Sequence, residues 1–216
     1  LILADKLLAE KESVMRTGNG KLRAKDVNAY LRSIIEVDEP SVDRIIIGDG
    51  DTVVKKIGTC WMPYWDTCKQ AVSEGVNLLI VHEPTFYTHW DLDLEKDHLK
   101  TIRCFDDYTR ARDSKRKWIE ENGLVIIRCH DVLDKIKGWG IPFSFGKAIG
   151  FGDGDILRSR PYYNVYKTRR RPAVEVAGDI AGKLKKFGQP GVAFYGDEDY
   201  PVGSVGVGTG CFCDPM

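Results

Sequence analysis

The sequence has no net charge, no long apolar run and no paired-cysteine motif, and each absence removes a class of function. Its 32 basic and 32 acidic residues cancel, so no overall field draws it to nucleic acid or an anionic membrane, and any patch of one sign has to be local. The longest apolar runs, such as Val76–Val81 interrupted by Asn77, fall well short of the roughly 20 residues that a membrane-spanning helix needs. The opening stretch LILADKLLAE has neither a basic start nor a small-residue cleavage site. No secretory signal is therefore expected, and a cytoplasmic protein is. The six cysteines show no CxxC spacing, which points to reduced thiols rather than a disulfide framework. Cys211 and Cys213 form a lone CxC, too weak a pattern to assign a soft metal. GFGDG at 150–154 lacks the Lys-Ser/Thr of a P-loop, and no GxSxG nucleophile elbow occurs.

What is present is the composition of a folded protein. With 43% hydrophobic and 30% charged residues over 216 positions, the chain can bury a core as one large domain or two small ones. Residues 1–20 read as a charged helical extension that ends in the Gly18-Asn19-Gly20 turn, and residues 21–216 as an α/β domain. From Asp26 onward, Val27, Tyr30, Leu31, Ile34 and Ile35 recur at helical spacing until Pro40. Arg44–Ile47 and Val53–Cys60 are β-branched runs on either side of Gly48-Asp49-Gly50 and are expected to pair with each other. A helix over Asp66–Glu74, closed by Gly75, leads into the strand Val76–Val81. A polar loop, Thr85–Glu95, and a long helix, Asp97–Asn122 with Leu99, Ile102, Phe105 and Tyr108 on one face, lead through Gly123 into the strand Leu124–Arg128. Such alternation builds βαβ units with parallel strands. The expected fold is therefore α/β, with mixed or mostly parallel sheets flanked by helices. Further along lie a short helix at Pro142–Ile149, a turn at Gly152–Asp155 and a strand at Tyr162–Tyr166. A helix at Pro172–Phe187 follows, with Val176, Ile180, Leu184 and Phe187 inward, then strands at Val192–Tyr195 and Val202–Val207.

Ligands of open α/β sheets bind beyond the carboxyl ends of strands, and here two apolar strands end in metal-ligand chemistry. The first stops at His82-Glu83-Pro84, and the second runs through Cys129-His130-Asp131 to Asp134. Neighbours on a strand point to opposite faces, but past the strand end a turn at Pro84 can aim both side chains at one ion. Imidazole with carboxylate suits Zn²⁺, Mn²⁺ or Fe²⁺, and a bridging carboxylate can hold two ions around a shared hydroxide. The plainer reading is a capping pair at a loop. Asp134 follows His130 by one helical turn, so both can face one cavity, with Asp131 as a third candidate. Acids at a helix start also serve simply as caps. His89, Asp91 and Asp93 form a looser group whose readings are substrate contact or plain solvated loop charge. Lys167–Arg171 (KTRRR), near Tyr162, Tyr163 and Tyr166, is the local basic patch. In a neutral protein a solvated strand end is favoured there over a phosphate or nucleic-acid site.

The stretch SEGVNLLIVHEPTFY and the later NGLVIIRCHDVLD resemble the Nif-three-like family of dinuclear-metal proteins, whose members are often labelled GTP cyclohydrolase I type two. PAVEVAGDIAGKLKKFG and VGSVGVGTGC resemble that family's later helix and glycine-rich strand, so the resemblance runs from about Lys21 to Cys213. It implies a Nif-three-like fold and one or two divalent ions, Zn, Mn or Fe, held by His82, Glu83 and Asp134. His82 matches the first metal histidine, Glu83 stands where the second usually is, Asp134 matches the bridging carboxylate, and His130 opens that motif. His130 and His89 are the candidates for proton transfer. A homo-oligomer, a ring-shaped hexamer, is also implied. Two further departures stand out: the family's Asp-Asn-x-Gly-Leu signature is not recognisable in SVDRIIIGD, and its C-terminal His and Glu have no counterpart before Met216. Because Val202–Val207 reads as a central strand whose edge needs cover, a truncated chain is expected. The function implied is a metal-dependent hydrolase acting on a nucleotide-like or phosphorylated small molecule. The alternative is a non-enzymatic, oligomeric metal-binding or regulatory protein.

Overall fold

A computed structural model describes residues 20–92 and 104–208. The expectations for the N-terminal extension, for Asp93, for Leu99 and Ile102 and for Cys211 and Cys213 lie outside the described residues. The chain divides into two compact units, Leu1–Leu31 with Arg44–Arg128 and Arg32–Asp43 with Cys129–Met216. No helix among the described residues is long and apolar enough to cross a membrane.

The first unit contains α1 (Ala24–Arg32), β1 (Ile45–Ile47), β2 (Ile57–Cys60), α2 (Trp65–Ser73), β3 (Leu78–Val81), α3 (Phe105–Glu121) and β4 (Val125–Arg128). Its sheet has the order β1-β4-β3-β2. β2, β3 and β4 run parallel in unbroken register, and β1 lies antiparallel to β4. The mixed, mostly parallel sheet is thus present, but β1 and β2 do not pair. They occupy opposite edges, while LLIV and VIIR, seven of whose eight residues are buried, take the centre, where both faces are covered. Residues 53–56 contribute only an isolated bridge between Arg23 and Val53.

Alternate residues of the central strands feed two apolar clusters. Leu79, Val81 and Ile126 pack with Cys68 and Ala71 of α2, Ile119 of α3 and Phe86. Leu78, Val125 and Ile127 pack with Ala24 and Val27 of α1. Burial of this kind stabilises by roughly 25 cal/mol per Å² of apolar surface, and it makes the strand ends a rigid platform. The turns that return helices to strands use Gly75 at φ +77° and Gly123 at φ +61°, conformations that cost glycine little. The helical stripe stops at Arg32 rather than continuing to Ile34 and Ile35, where the Arg32 guanidinium turns to the Asp43 carbonyl and the Glu39 carboxylate.

The second unit holds α4 (Asp131–Lys135), α5 (Ile141–Ala148), β5 (Ile156–Arg160), β6 (Tyr163–Pro172), α6 (Ala173–Leu184) and β7 (Pro201–Gly208). Its three strands form an antiparallel sheet in the order β5-β6-β7. The core is small: Ile149, Tyr166 and Val207, flanked by Phe151, Ile156, Ile180, Leu184 and Val205. Tyr166 spans it, donating its hydroxyl to the Pro142 carbonyl and accepting from Asn164 Nδ2. Gly146 makes room, since a Cβ there would overlap the tyrosine ring.

The second unit departs from the expectations at several places. β5 had no sequence signal, because ILRSR is largely exposed and shows no apolar alternation. Val192–Tyr195 forms no strand, and Val192, Phe194 and Tyr195 are exposed. Phe187 is exposed rather than inward, since α6 ends at Leu184 and a short 3₁₀ turn closes on Gly188 at φ +81°. Among the described residues β6 is paired on both sides and β7 on one, so β6 takes the central place expected for Val202–Val207.

Candidate metal centre

His82 is the first residue past β3. Its N–H and that of Glu83 both donate to the Trp61 carbonyl, at 3.1 and 2.9 Å, so the backbone bends around the end of the neighbouring β2. The bend brings the two side chains together, as the turn at Pro84 implies. His82 Nδ1 lies 3.5 Å from a Glu83 carboxylate oxygen, with the imidazole buried and the carboxylate partly exposed. Two donors on one tetrahedral ion, each about 2.0–2.1 Å from it, stand roughly 3.3 Å apart. The observed spacing suits a shared ion. The Trp61 indole stacks on the imidazole at 3.9 Å and 13°, fixing the ring plane.

Arg128 holds this loop from below. It is the last residue of β4, opposite Val81 in the register, and it is only 1% exposed. Its Nε donates to the His82 carbonyl at 3.0 Å, and its Nη1 donates to the His89 carbonyl and faces the Asp91 carboxylate at 3.5 Å. Asp91 in turn accepts from the Thr85 and Phe86 N–H groups at 2.6 and 2.9 Å. Asp91 is therefore a buried structural acid, which corrects its reading as a solvated loop charge. Burial pushes its carboxyl above the ordinary range, opposed by the Phe86 N–H and by Arg128. Lys115, also buried, ties the loop to the segment after β2 by donating to the Pro63 and Thr85 carbonyls at 2.6 and 2.8 Å. Burial pushes its ammonium down. His89 presents an exposed ring packed edge-on against Trp90, while its carbonyl serves the Arg128 clamp. The positive φ values of Tyr87 and Asp91, 70° and 59°, show how sharply the loop turns back on itself.

β4 lies beside β3 in parallel, so the chain leaves both strands at the same edge of the sheet. Beyond β4 it enters α4, one short helix whose single turn sets His130 Nδ1 3.8 Å from the buried Asp134 carboxylate. The nearer partner of the ring is Asp131, at 2.8 Å. That hydrogen bond is the main reason the Asp131 carboxyl sits below the ordinary range despite partial burial; Tyr162 adds a second one. The Tyr162 phenol is pushed up, chiefly by burial and then by Asp131. Asp131 thus orients His130 instead of only capping the helix.

Capping falls to a residue that pattern reasoning missed. The buried Asp43 carboxylate accepts the N–H groups of His130, Asp131 and Val132, serving the open helix start from a segment far upstream. Burial raises its pKa, against the hydrogen bond from His130. Arg128 did leave a signal in the sequence, as a lone charge at the end of the apolar run LVIIRC, whereas Asp43 stands beside Arg44 in SVDRIII and carries none. Cys129, between the two clusters along the chain, is buried and its thiol is pushed up to about 12.

Comparison with known proteins bears on the fold and the family. No curated protein matches the chain at a significant level. Staphylococcus aureus hypothetical protein SA1388 superposes with a TM-score of 0.62 at 12% identity, covering 88% of this chain and 75% of that one. Protein ybgI gives 0.57 at 19% identity, with 86% and 68% covered. Reduced HcgD from Methanocaldococcus jannaschii gives 0.53 at 20% identity, with 77% and 60% covered. At these identities the likenesses speak for the fold alone. A model of the Duf34/NIF3 (NGG1p interacting factor 3) family matches residues 24–214, nearly the whole length, and the chain belongs to that family.

Proposed function

We propose that this Duf34/NIF3 protein binds one or two divalent metal ions through His82, Glu83 and Asp134 and acts as a metal-dependent hydrolase on a nucleotide-like or phosphorylated small molecule. The observation that carries this reading is the His82–Glu83 pair: a buried imidazole and a partly exposed carboxylate, 3.5 Å apart, at the end of a parallel strand, where α/β sheets place their ligands. The donors are one nitrogen and carboxylate oxygens, a set that fits Zn²⁺, Mn²⁺ or Fe²⁺, and Glu83 in place of a second imidazole shifts preference toward the harder ions. Such an ion, when bound, lowers the pKa of a coordinated water and polarises a phosphoryl oxygen.

The chain's own residues supply orientation and proton transfer. Trp61 and Arg128 fix the His82 ring and its carbonyl. Asp131 holds His130 at Nδ1, which makes Nδ1 the proton-bearing nitrogen and routes proton exchange through Nε2. His89, exposed on the loop that follows the ligand pair, is placed to meet a substrate. A second reading, an oligomeric metal-binding protein without turnover, keeps the same ligands. It is favoured by the exposed aromatics Trp61, Tyr64 and Tyr87, the kind of surface that packs against another chain. The partner we propose is a further copy of this chain, in a ring that light scattering would size.

An activity screen of the metal-loaded protein across nucleoside phosphates, phosphomonoesters and phosphodiesters separates the two. The hydrolase reading predicts turnover that is abolished by a chelator and by Asp134→Ala, and lowered by His130→Ala at an unchanged metal content. Metal-loaded protein that turns over none of these classes leaves the second reading.

A further inference from the structure

The second unit contains a cavity of about 290 Å³, lined by Phe151, Lys167, Arg169, Arg171, Asp179 and Lys183 among others. Four of the lining side chains are cations, and only Asp155 and Asp179 oppose them, in a protein with no net charge. Strand alternation would send Lys167 and Arg169 to one face of β6 and Thr168 to the other, yet all three line this one cavity. The cause is a slip in the ladder. Lys167 pairs with Ser204 and Arg171 with Val202, so four steps along β6 answer two along β7, and the bulge re-aims the intervening side chains.

Two further observations describe how the lining cations are held. Arg171 places one terminal nitrogen on Asp179 and its Nε is buried, so it forms part of the wall and leaves Lys167, Arg169 and Lys183 as the cations open to the cavity. Gly150, at φ +100°, lets the Lys183 ammonium lie against the backbone, where a Cβ would overlap it. The remaining wall is apolar, with Val176 and Ile180 beside Phe151. Phe151 is itself stacked on Tyr166 at 5.0 Å and 17°.

We propose that this cavity binds a small phosphomonoester, its phosphate taken by Lys167, Arg169 and Lys183 and its flat organic part laid on the apolar wall. Charge-assisted hydrogen bonds from several cations are the chemistry that recognises a phosphate, and the volume matches a small ligand rather than a polymer. Nucleic acid would need a basic track along the surface. The site uses none of the residues to which metal binding is assigned.

The test is calorimetric titration of the full chain, stripped of metal and freed of chelator, with inorganic phosphate, adenosine monophosphate and a single-stranded oligonucleotide. Adenosine monophosphate should bind more tightly than inorganic phosphate. The double variant R169Q/K183M, both positions being exposed, should lose at least about tenfold in affinity with an unchanged unfolding midpoint. Gly150→Ala, which displaces Lys183, should weaken binding in the same direction. The proposal is overturned if neither small ligand binds at up to about 10 mM, if the double variant binds as the parent does, or if the oligonucleotide binds best with a steep salt dependence. Because no metal is present, failure here is distinct from failure of the hydrolase reading.

Discussion

In the first unit, a sheet covered on both faces holds Asp91, Lys115 and Arg128 at 1%, 2% and 1% exposure, while in the second unit a three-stranded sheet leaves Lys167, Arg169 and Lys183 in solvent around a cavity. The same residue types do different work. Lys115 and Arg128 donate to loop carbonyls and Asp91 accepts from loop N–H groups, and what the set stabilises is the shape of the loop that carries His82 and Glu83. The exposed set lies on the bulged strand β6 and on α6, around the cavity. A charge that finishes all its hydrogen bonds inside the protein is framework, and a charge that does not is available to a ligand.

That contrast can be broken by substitution. Arg128→Met is expected to have the largest effect, destabilising by about 3–5 kcal/mol, because it removes the guanidinium that faces the buried Asp91 and frees the His82 and His89 carbonyls. Arg169→Gln should change stability by no more than about 0.5 kcal/mol. Denaturant unfolding of the two variants measures both, and similar costs would end the distinction between framework and ligand charge. The cores sharpen it next. Ile126→Ala, in the doubly covered sheet, should cost about 2–5 kcal/mol, whereas Tyr166→Phe, which removes only the hydroxyl between Asn164 and Pro142, should cost about 1–3 kcal/mol. Asp43→Ala should cost about 1–2 kcal/mol through the lost cap of α4, and the exchange rates of the His130, Asp131 and Val132 amides should rise with it.

The smallest effect on stability near neutral pH is expected from the thiols. Burial pushes Cys60 up to about 11 and Cys129 up to about 12, above the ~8.5 of a free cysteine. A folded pKa above the unfolded one contributes stability that is complete below about pH 8.5 and is lost as pH rises through the folded value. At pH 8 these thiols are almost wholly protonated, so alkylation mapped by mass spectrometry should mark the exposed Cys104 well before Cys60 or Cys129. Equal labelling would show that the strand ends open readily.

The parts of the molecule that repeat a local pattern were legible in the sequence. β3 and β4 are apolar runs closed by ligand-type residues, α2 and α6 have the right spacing, and Gly75, Gly123 and Gly188 mark the turns. The pairing of β1 with β4 was not, since it depends on which strands the core draws to its centre, and β5 was not, since an exposed edge carries no apolar alternation. At the candidate site the His82–Glu83 turn and the His130–Asp134 spacing follow from local geometry. The roles of Asp43, Asp91 and Arg128 do not, because each is defined by partners distant in sequence. Burial turns an apparent surface charge into a structural one.

The most direct test of the central claim is elemental analysis of the purified protein after equilibration with Zn²⁺, Mn²⁺ and Fe²⁺ in turn and removal of unbound ion. At least one tightly held ion per chain is expected with one of these metals, lost in His82→Ala and in Asp134→Ala while both variants remain folded. A folded parent protein that retains none of the three, or variants that retain as much as the parent, would contradict it.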